Sequence, residues 1–321
     1  MLKQVLEIEE LLDDSFIDGS KVKEFFSKFS FIKFEVFTVK GQKGKTDFVK
    51  VLIPGSKGKS NGGEAPTLGV VGRLGGIGAR PSRIGIVSDS DGAVAALSLA
   101  YKLSLMHIKG DILPGDVIIA THICPDAPTQ PHEPVDFMDS PVTMFQMNQN
   151  EISDEMDAVL TIDTTKGNKI INHKGISISP TVKEGYILKV SYDLLRIAEV
   201  VTGELANTFP ITMQDITPYG NGLYHLNSIL QPAVATSSPV VGVAITTNSV
   251  VPGSSTGASH ESDIADAANF SLEAAKEFTD GKIDFYDAGE FQRILRLYGS
   301  MEKLQTFGNE NGKKTGNNRR S

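Results

Sequence analysis

Four short polar clusters in this chain each follow an apolar run that reads as a strand. Ser88-Asp89-Ser90-Asp91-Gly92 follows the run at 83–88 and opens a helix. Thr121-His122-Ile123-Cys124-Pro125-Asp126 closes the run at 115–121, and Ile162-Asp163-Thr164-Thr165 closes the run at 158–163. Gly253-Ser254-Ser255-Thr256-Gly257-Ala258-Ser259-His260-Glu261 follows the run at 240–245 and precedes a helix. Carboxylates and imidazoles together are the donors that Zn²⁺, Mn²⁺ or Co²⁺ take. A plainer reading stands beside each cluster. Asp89 or Asp91 serves as the N-cap of the helix from Gly92, and Ser259 or Asp263 caps the helix after His260. His122 and Asp163 satisfy loop backbone, and a lone Cys124 beside Pro125 is packing. What favours chemistry is that all four clusters fall on one predicted edge of one sheet, where open α/β sheets bind their ligands.

The elements that place them follow from hydrophobic period. Residues 3–14 read as an amphipathic helix and 21–29 as a second short one. Residues 32–40 alternate, 41–44 turn, and 47–54 continue as the second arm of a hairpin near a sheet edge. A loop rich in Gly, Ser, Lys and Pro follows at 55–66. Beyond it, buried strands at 67–72, 83–88, 115–121, 158–163, 186–190 and 240–245 alternate with helices at 92–105, 191–204, 221–231 and 262–279, and 289–304 reads as a final helix. That order predicts an α/β three-layer sandwich around a mixed, mostly parallel sheet. Residues 1–307 are expected to form one domain, with a disordered basic tail at 308–321.

Composition narrows the classes of function. The chain has 321 residues, a net charge of −8, 40% hydrophobic and 22% charged residues. It has the apolar content for a core, and its acidic balance gives no electrostatic reason for a nucleic-acid or anionic-membrane partner. One cysteine rules out an internal disulfide framework. The start is too charged for a signal peptide and no apolar run is long enough to span a bilayer, so a cytoplasmic protein is expected.

At these residues the sequence resembles the catalytic domain of co-catalytic zinc aminopeptidases of the glutamyl and deblocking type. It is also similar to members of a bacterial family, domain of unknown function 1177. The likeness covers about residues 30–280 in element order. In the peptidases an Asp after a strand, followed by an Ala-rich helix, bridges two metals; Asp89-Ser90-Asp91-Gly92-Ala93-Val94-Ala95-Ala96-Leu97 looks similar, with Asp91 where a basic residue is usual. Asp163 and His260 look like the later Asp and His of those enzymes. The chain departs from the pattern at Val71-Gly72-Arg73-Leu74-Gly75-Gly76-Ile77-Gly78, where Arg73 and Gly75 occupy the places of a His-x-Asp signature. The paired glutamates of the peptidases fall at about Cys124-Pro125, and no inserted lid or dimerisation domain separates Gly78 from Asp89. The resemblance implies a zinc-peptidase (phosphorylase/hydrolase-like) fold with an altered metal site.

The mechanism that these residues would support is hydrolysis of a peptide, amino-acid amide or related C–N bond. A divalent metal, Zn before Mn or Co, held by Asp89 or Asp91 with Asp163 and His260, and with His122 as a further ligand, would activate water and polarise a carbonyl. Asp126 or Glu133 would carry the proton to the leaving nitrogen, His122 and His132 standing as local alternatives. Arg73 would act as an exposed fork for a substrate carboxylate, and Gly75 and Gly76 would let backbone N–H groups approach it. Two other readings stay open: a non-catalytic amino-acid or peptide binder on a degenerate aminopeptidase fold, and an amidohydrolase using Cys124 with His122 or His132. The expected partners are a small-molecule or peptide substrate and further copies of the chain in a homo-oligomer.

Overall fold

A computed structural model describes residues 1–165, 167, 170–210, 228–248 and 253–305. In chain order the helices are α1 (Leu2–Leu12), α2 (Gly19–Phe26), α3 (Asp91–Ile108), α4 (Met144–Glu151), α5 (Tyr192–Thr202), α6 (Glu261–Thr279) and α7 (Ala288–Tyr298). The strands are β1 (Lys33–Gly41), β2 (Gly44–Ile53), β3 (Leu68–Gly72), β4 (Val117–Ile123), β5 (Thr129–Gln130), β6 (Phe137–Met138), β7 (Ala158–Thr164), β8 (Gly175–Ile178), β9 (Val182–Lys183), β10 (Tyr186–Ile187) and β11 (Val240–Thr246). Nine strands make one sheet in the order β1-β2-β4-β3-β7-β11-β9-β10, with β8 also on β11; β5 and β6 pair separately.

The centre of this sheet is parallel: β3 pairs with β4 and β7, and β7 with β11. Its flanks are antiparallel, β2 against β4 on one side and β8 and β9 against β11 on the other. The central strands read as continuous apolar runs because both of their faces are covered. Val70, Ile119, Leu160, Ile162 and Val243 join one core with side chains of α1, α3 and α6. Val71, Ile118, Ala120, Val159 and Ala244 face the other way, onto Met156, Phe209, Ile229, Leu230 and Ala233. The expected mixed α/β sandwich is the observed one. No helix of the described residues is long and apolar enough to cross a membrane.

Four sequence-level expectations are corrected. Residues 83–88 form no strand: Ile84 is 94% exposed, Gly85 has φ +89°, and a 3-10 turn at Ser88–Ser90 leads straight into α3. An apolar run flanked by turns reads equally well as a strand, and here the chain uses it as a connection. The strand expected at 186–190 stops at Ile187, and the last helix stops at Tyr298, where Gly299 turns with φ +76°. Of the helix expected at 221–231, residues 221–227 lie outside the described residues and Ser228–Val234 is a 3-10 segment containing Pro232. The tail at 308–321 also lies outside them.

Candidate functional site

The four parallel strands end at one edge, and the loops that leave them are tied together there. The Ser88 N–H donates to Thr256 O (2.6 Å), Ser88 Oγ to Ser254 O (3.1 Å) and Thr164 Oγ1 to Ser88 O (2.5 Å). The Met138 N–H donates to Ser254 Oγ (2.8 Å), and Ser255 Oγ to Asp136 O (2.7 Å). The loop after β3 docks on the loop after β4: the Cys124 N–H donates to Gly75 O (2.9 Å) and the Ile77 N–H to Cys124 O (3.0 Å).

Within this edge Asp89 is 7% exposed, in the turn that starts α3. It accepts a hydrogen bond from the Gly76 backbone, while burial and the neighbouring Asp91 push its carboxyl up to about 7. Asp91, in the first turn of α3, accepts from Ser259 Oγ at 2.5 Å, which joins the start of α3 to the loop before α6. Neither acid caps α3: its N-cap is Ser90, which makes no side-chain cap bond. Asp163 is buried at the end of β7, where its Oδ1 accepts from the Thr164 N–H (2.7 Å). Sequence reasoning missed Glu9. It comes from α1, and its carboxyl is pushed up to about 7 by burial and by Glu261 and Asp91. Nothing in its local sequence marks it, because its neighbours come from elements far along the chain.

His122 is fully occupied. The Gly75 N–H donates to its Nε2 (3.0 Å), and its Nδ1 lies 2.8 Å from Thr46 Oγ1. Thr46 Oγ1 gives its own proton to Ile123 O (3.1 Å), so the ring is the Nδ1–H tautomer and donates to Thr46. Burial and the Arg73 cation lower its pKa to about 3. A buried imidazole with both nitrogens engaged holds a loop in place; it has no lone pair left for a metal or for a substrate proton. The catalytic expectation for His122 is corrected on that ground. Burial also pushes the Cys124 thiol up to about 12, with Asp126 and Asp89 adding to the effect, so it carries no thiolate character at neutral pH.

Arg73 is the second correction. Its side chain is 0% exposed and lies inside the protein, with Nε 2.9 Å from Glu151 Oε2 and Nη2 2.7 Å from Asn148 Oδ1. A counter-charge, Glu151, comes from α4. Burial pushes the Glu151 carboxyl up while Arg73 pulls it the other way.

The remaining expected residues are exposed. Asp126 and Glu133 are exposed, and among the described residues no hydrogen bond or ion pair joins either to Asp89. His132 is exposed, stacked on Phe137 at 3.8 Å. His260 is exposed at the N-cap of α6 and makes no side-chain cap bond there. Among the described residues no group of three or more His, Cys, Asp or Glu side chains is placed to hold a metal ion. The expected set of Asp89, Asp91, Asp163 and His260 therefore does not close on one point.

Gly75 shows how tightly the edge is built. A Cβ there would lie 1.6 Å from His122 O. Gly75→Ala is expected to destabilise the protein by roughly 1–3 kcal/mol, the range for overpacked interiors, read as a lowered guanidinium midpoint; an unchanged midpoint would mean that the two loops do not meet there.

A family model described as "Protein of unknown function (DUF1177)" matches residues 37–308. No curated protein matches the chain in sequence. Among solved structures, the chain is similar to a glutaminyl cyclase from an Acidobacteriales bacterium, at 12% identity and a TM-score of 0.51, over 87% of this chain and 94% of that one. It is also similar to a tomato leucine aminopeptidase mutant, at 11% identity and a TM-score of 0.48, over 84% of this chain and 61% of that one. At these identities the likeness is one of fold.

Proposed function

The chain belongs to the DUF1177 family, and from that premise and its aminopeptidase-like fold we propose that it is a hydrolase of a C–N bond in a peptide, an amino-acid amide or a related small molecule. The reaction is placed at the carboxyl edge of the parallel strands. The observation that carries this reading is Asp89, a nearly buried carboxyl held by the Gly76 backbone beside Asp91 where the loops from β3, β4, β7 and β11 meet. A carboxyl whose pKa is close to the working pH can take a proton from the attacking water and deliver it to the leaving nitrogen. The water oxygen bonds to the carbonyl carbon as the C–N bond breaks, and the products are an acid and an amine. The divalent metal of the sequence-level expectation, Zn, Mn or Co, finds no ligand set among the described residues, so no step is routed through one.

A second reading, a non-catalytic binder of amino acids or peptides, is favoured by one observation. The two side chains beside the edge best suited to make a nucleophile, His122 and Cys124, are both held neutral by burial. The same proposal includes a cytoplasmic protein in which residues 1–307 act as one domain without a lid and self-associate, with no nucleic-acid or membrane partner.

The test is a turnover assay of the purified full chain on aminoacyl anilides, amino-acid amides and N-acyl amino acids. Equilibrium binding of the same compounds and elemental metal analysis accompany it. Turnover of at least one class, lost in Asp89→Asn, supports the hydrolase. Binding without turnover supports the binder, and turnover unchanged in Asp89→Asn removes Asp89 from the mechanism. A stoichiometric transition metal in the purified protein would return the metal-dependent form of the reaction.

A further inference from the structure

We propose that the outer face of α1 is the self-association surface of this protein, on which two copies pair antiparallel about a two-fold axis. The proposal stands independently of the hydrolase reading. The helix has two apolar faces. Val5, Ile8 and Leu12 are fully buried, in the core that also contains side chains of α3 and α6. On the other side Leu2 and Leu6 are 48% and 50% exposed and lie one turn apart. They line an open groove together with Lys3, Glu7, Glu10 and the half-buried ring of Phe25 from α2. A single exposed leucine is ordinary. Two on adjacent turns, in a groove that also contains an aromatic ring, form a small contiguous apolar patch on which a second apolar surface can pack.

The charges along the groove select the occupant. Lys3 and Glu10 are seven residues apart, two helical turns, and so lie on one stripe of the helix. An isologous contact uses the same patch on both partners, so the patch must complement itself. With the axis passing midway between residues 6 and 7, Lys3 of each copy faces Glu10 of the other, and Leu6 packs near its own counterpart beside Phe25. A parallel arrangement would set Lys3 against Lys3 and Glu10 against Glu10. Glu7 accepts from the Tyr101 hydroxyl at 2.8 Å and has Lys3 of its own chain at 3.6 Å, so in the pair Lys3 bridges Glu7 and the Glu10 of the other copy. An 11-residue helix is about 16 Å long, so the helix pair is the centre of the interface, and α2 supplies its rim.

The experiment is sedimentation equilibrium of the full chain over a wide range of concentration, with circular dichroism melts to confirm folding. The parent is expected to dimerise. Leu6→Asp is expected to weaken the dimer by roughly a hundredfold, since the leucine is lost from both sides of the axis. Lys3→Glu alone and Glu10→Lys alone should each weaken it by roughly fivefold or more, because each reversal acts twice across the axis. The double variant Lys3→Glu/Glu10→Lys should return to within about threefold of the parent, because the swapped charges again face opposite signs. These charges are exposed, so the swap remains informative even if Leu6→Asp does not fold. A parent that stays monomeric overturns the proposal and leaves the groove to a different partner. A dimer that neither Leu6→Asp nor the single charge reversals weaken overturns it too, placing the interface elsewhere. Failure of the double variant to recover rules out the antiparallel register.

Discussion

Asp89→Asn is expected to lose turnover by roughly a hundredfold to ten-thousandfold, the usual contribution of one general acid–base group, and to be more stable than the parent above neutral pH. Both effects come from the same burial. In the folded protein the Asp89 carboxyl sits at about 7, against an ordinary value of 3.8. The folded state therefore holds a proton that the unfolded chain releases between these two values. Stability is lost as pH rises through that window, and the full loss is present above about 7. At about 1.4 kcal/mol per unit, the loss is roughly 4–5 kcal/mol. Asparagine keeps the acceptor for the Gly76 N–H but cannot ionise beside Asp91, so the variant escapes it. His122 works in the opposite direction, because its depressed pKa makes stability rise with pH between about 3 and 6.5. It does so in parent and variant alike and cancels in the comparison. Guanidinium unfolding of both proteins at pH 5 and pH 8 checks this: the variant's advantage should grow with pH. A difference that stays constant would mean that Asp89 ionises as an ordinary surface carboxyl.

The second large effect is on folding. Glu151→Ala removes the carboxylate from a guanidinium that has no access to water. Breaking a buried pair from one side costs roughly 3–5 kcal/mol, since the desolvated charge remains. That is a large share of the roughly 5–15 kcal/mol that holds a typical domain together. Arg73→Met should cost a similar amount, leaving Glu151 buried without its cation. The double variant Arg73→Met/Glu151→Met should cost less than the two single changes added together, because neither charge of the pair is left buried without the other. A double-mutant cycle on denaturant midpoints reads the coupling directly. Additive costs would show that the two side chains do not depend on each other.

Much of this fold can be read along the chain. The alternation at 32–53 is the β1–β2 hairpin, in register from Lys33 opposite Leu52 to Gly41 opposite Gly44. The Ala- and Leu-rich stretch after Asp91 is a helix buried along most of its length. The capping box at Thr143 and Gln146 is a local signal for α4 that hydrophobic period alone passes over. The site was less legible, and the reason is distance in sequence. Arg73 reads as an exposed fork because its neighbours are glycines, but its partner Glu151 is 78 residues away. His122 reads as a ligand because it stands at a strand end, but Thr46, 76 residues away, takes its Nδ1 proton. A strand end fixes where a side chain is presented. Whether it meets solvent, an acid or a hydroxyl is decided by elements whose pairing leaves no mark on the local sequence.

The packing of α1 on both α3 and α6 also sets an order of events during synthesis. Helix α1 is made before α6 and cannot be fully seated until the segment 261–279 has followed it. At roughly 5–20 residues per second, that interval is on the order of tens of seconds. The sheet imposes the same wait on a smaller scale, because β3 lies between β4 and β7 and must bide its time for both. Throughout that time Val5, Ile8 and Leu12 lack their final cover, and the growing chain carries an apolar helix face exposed to water.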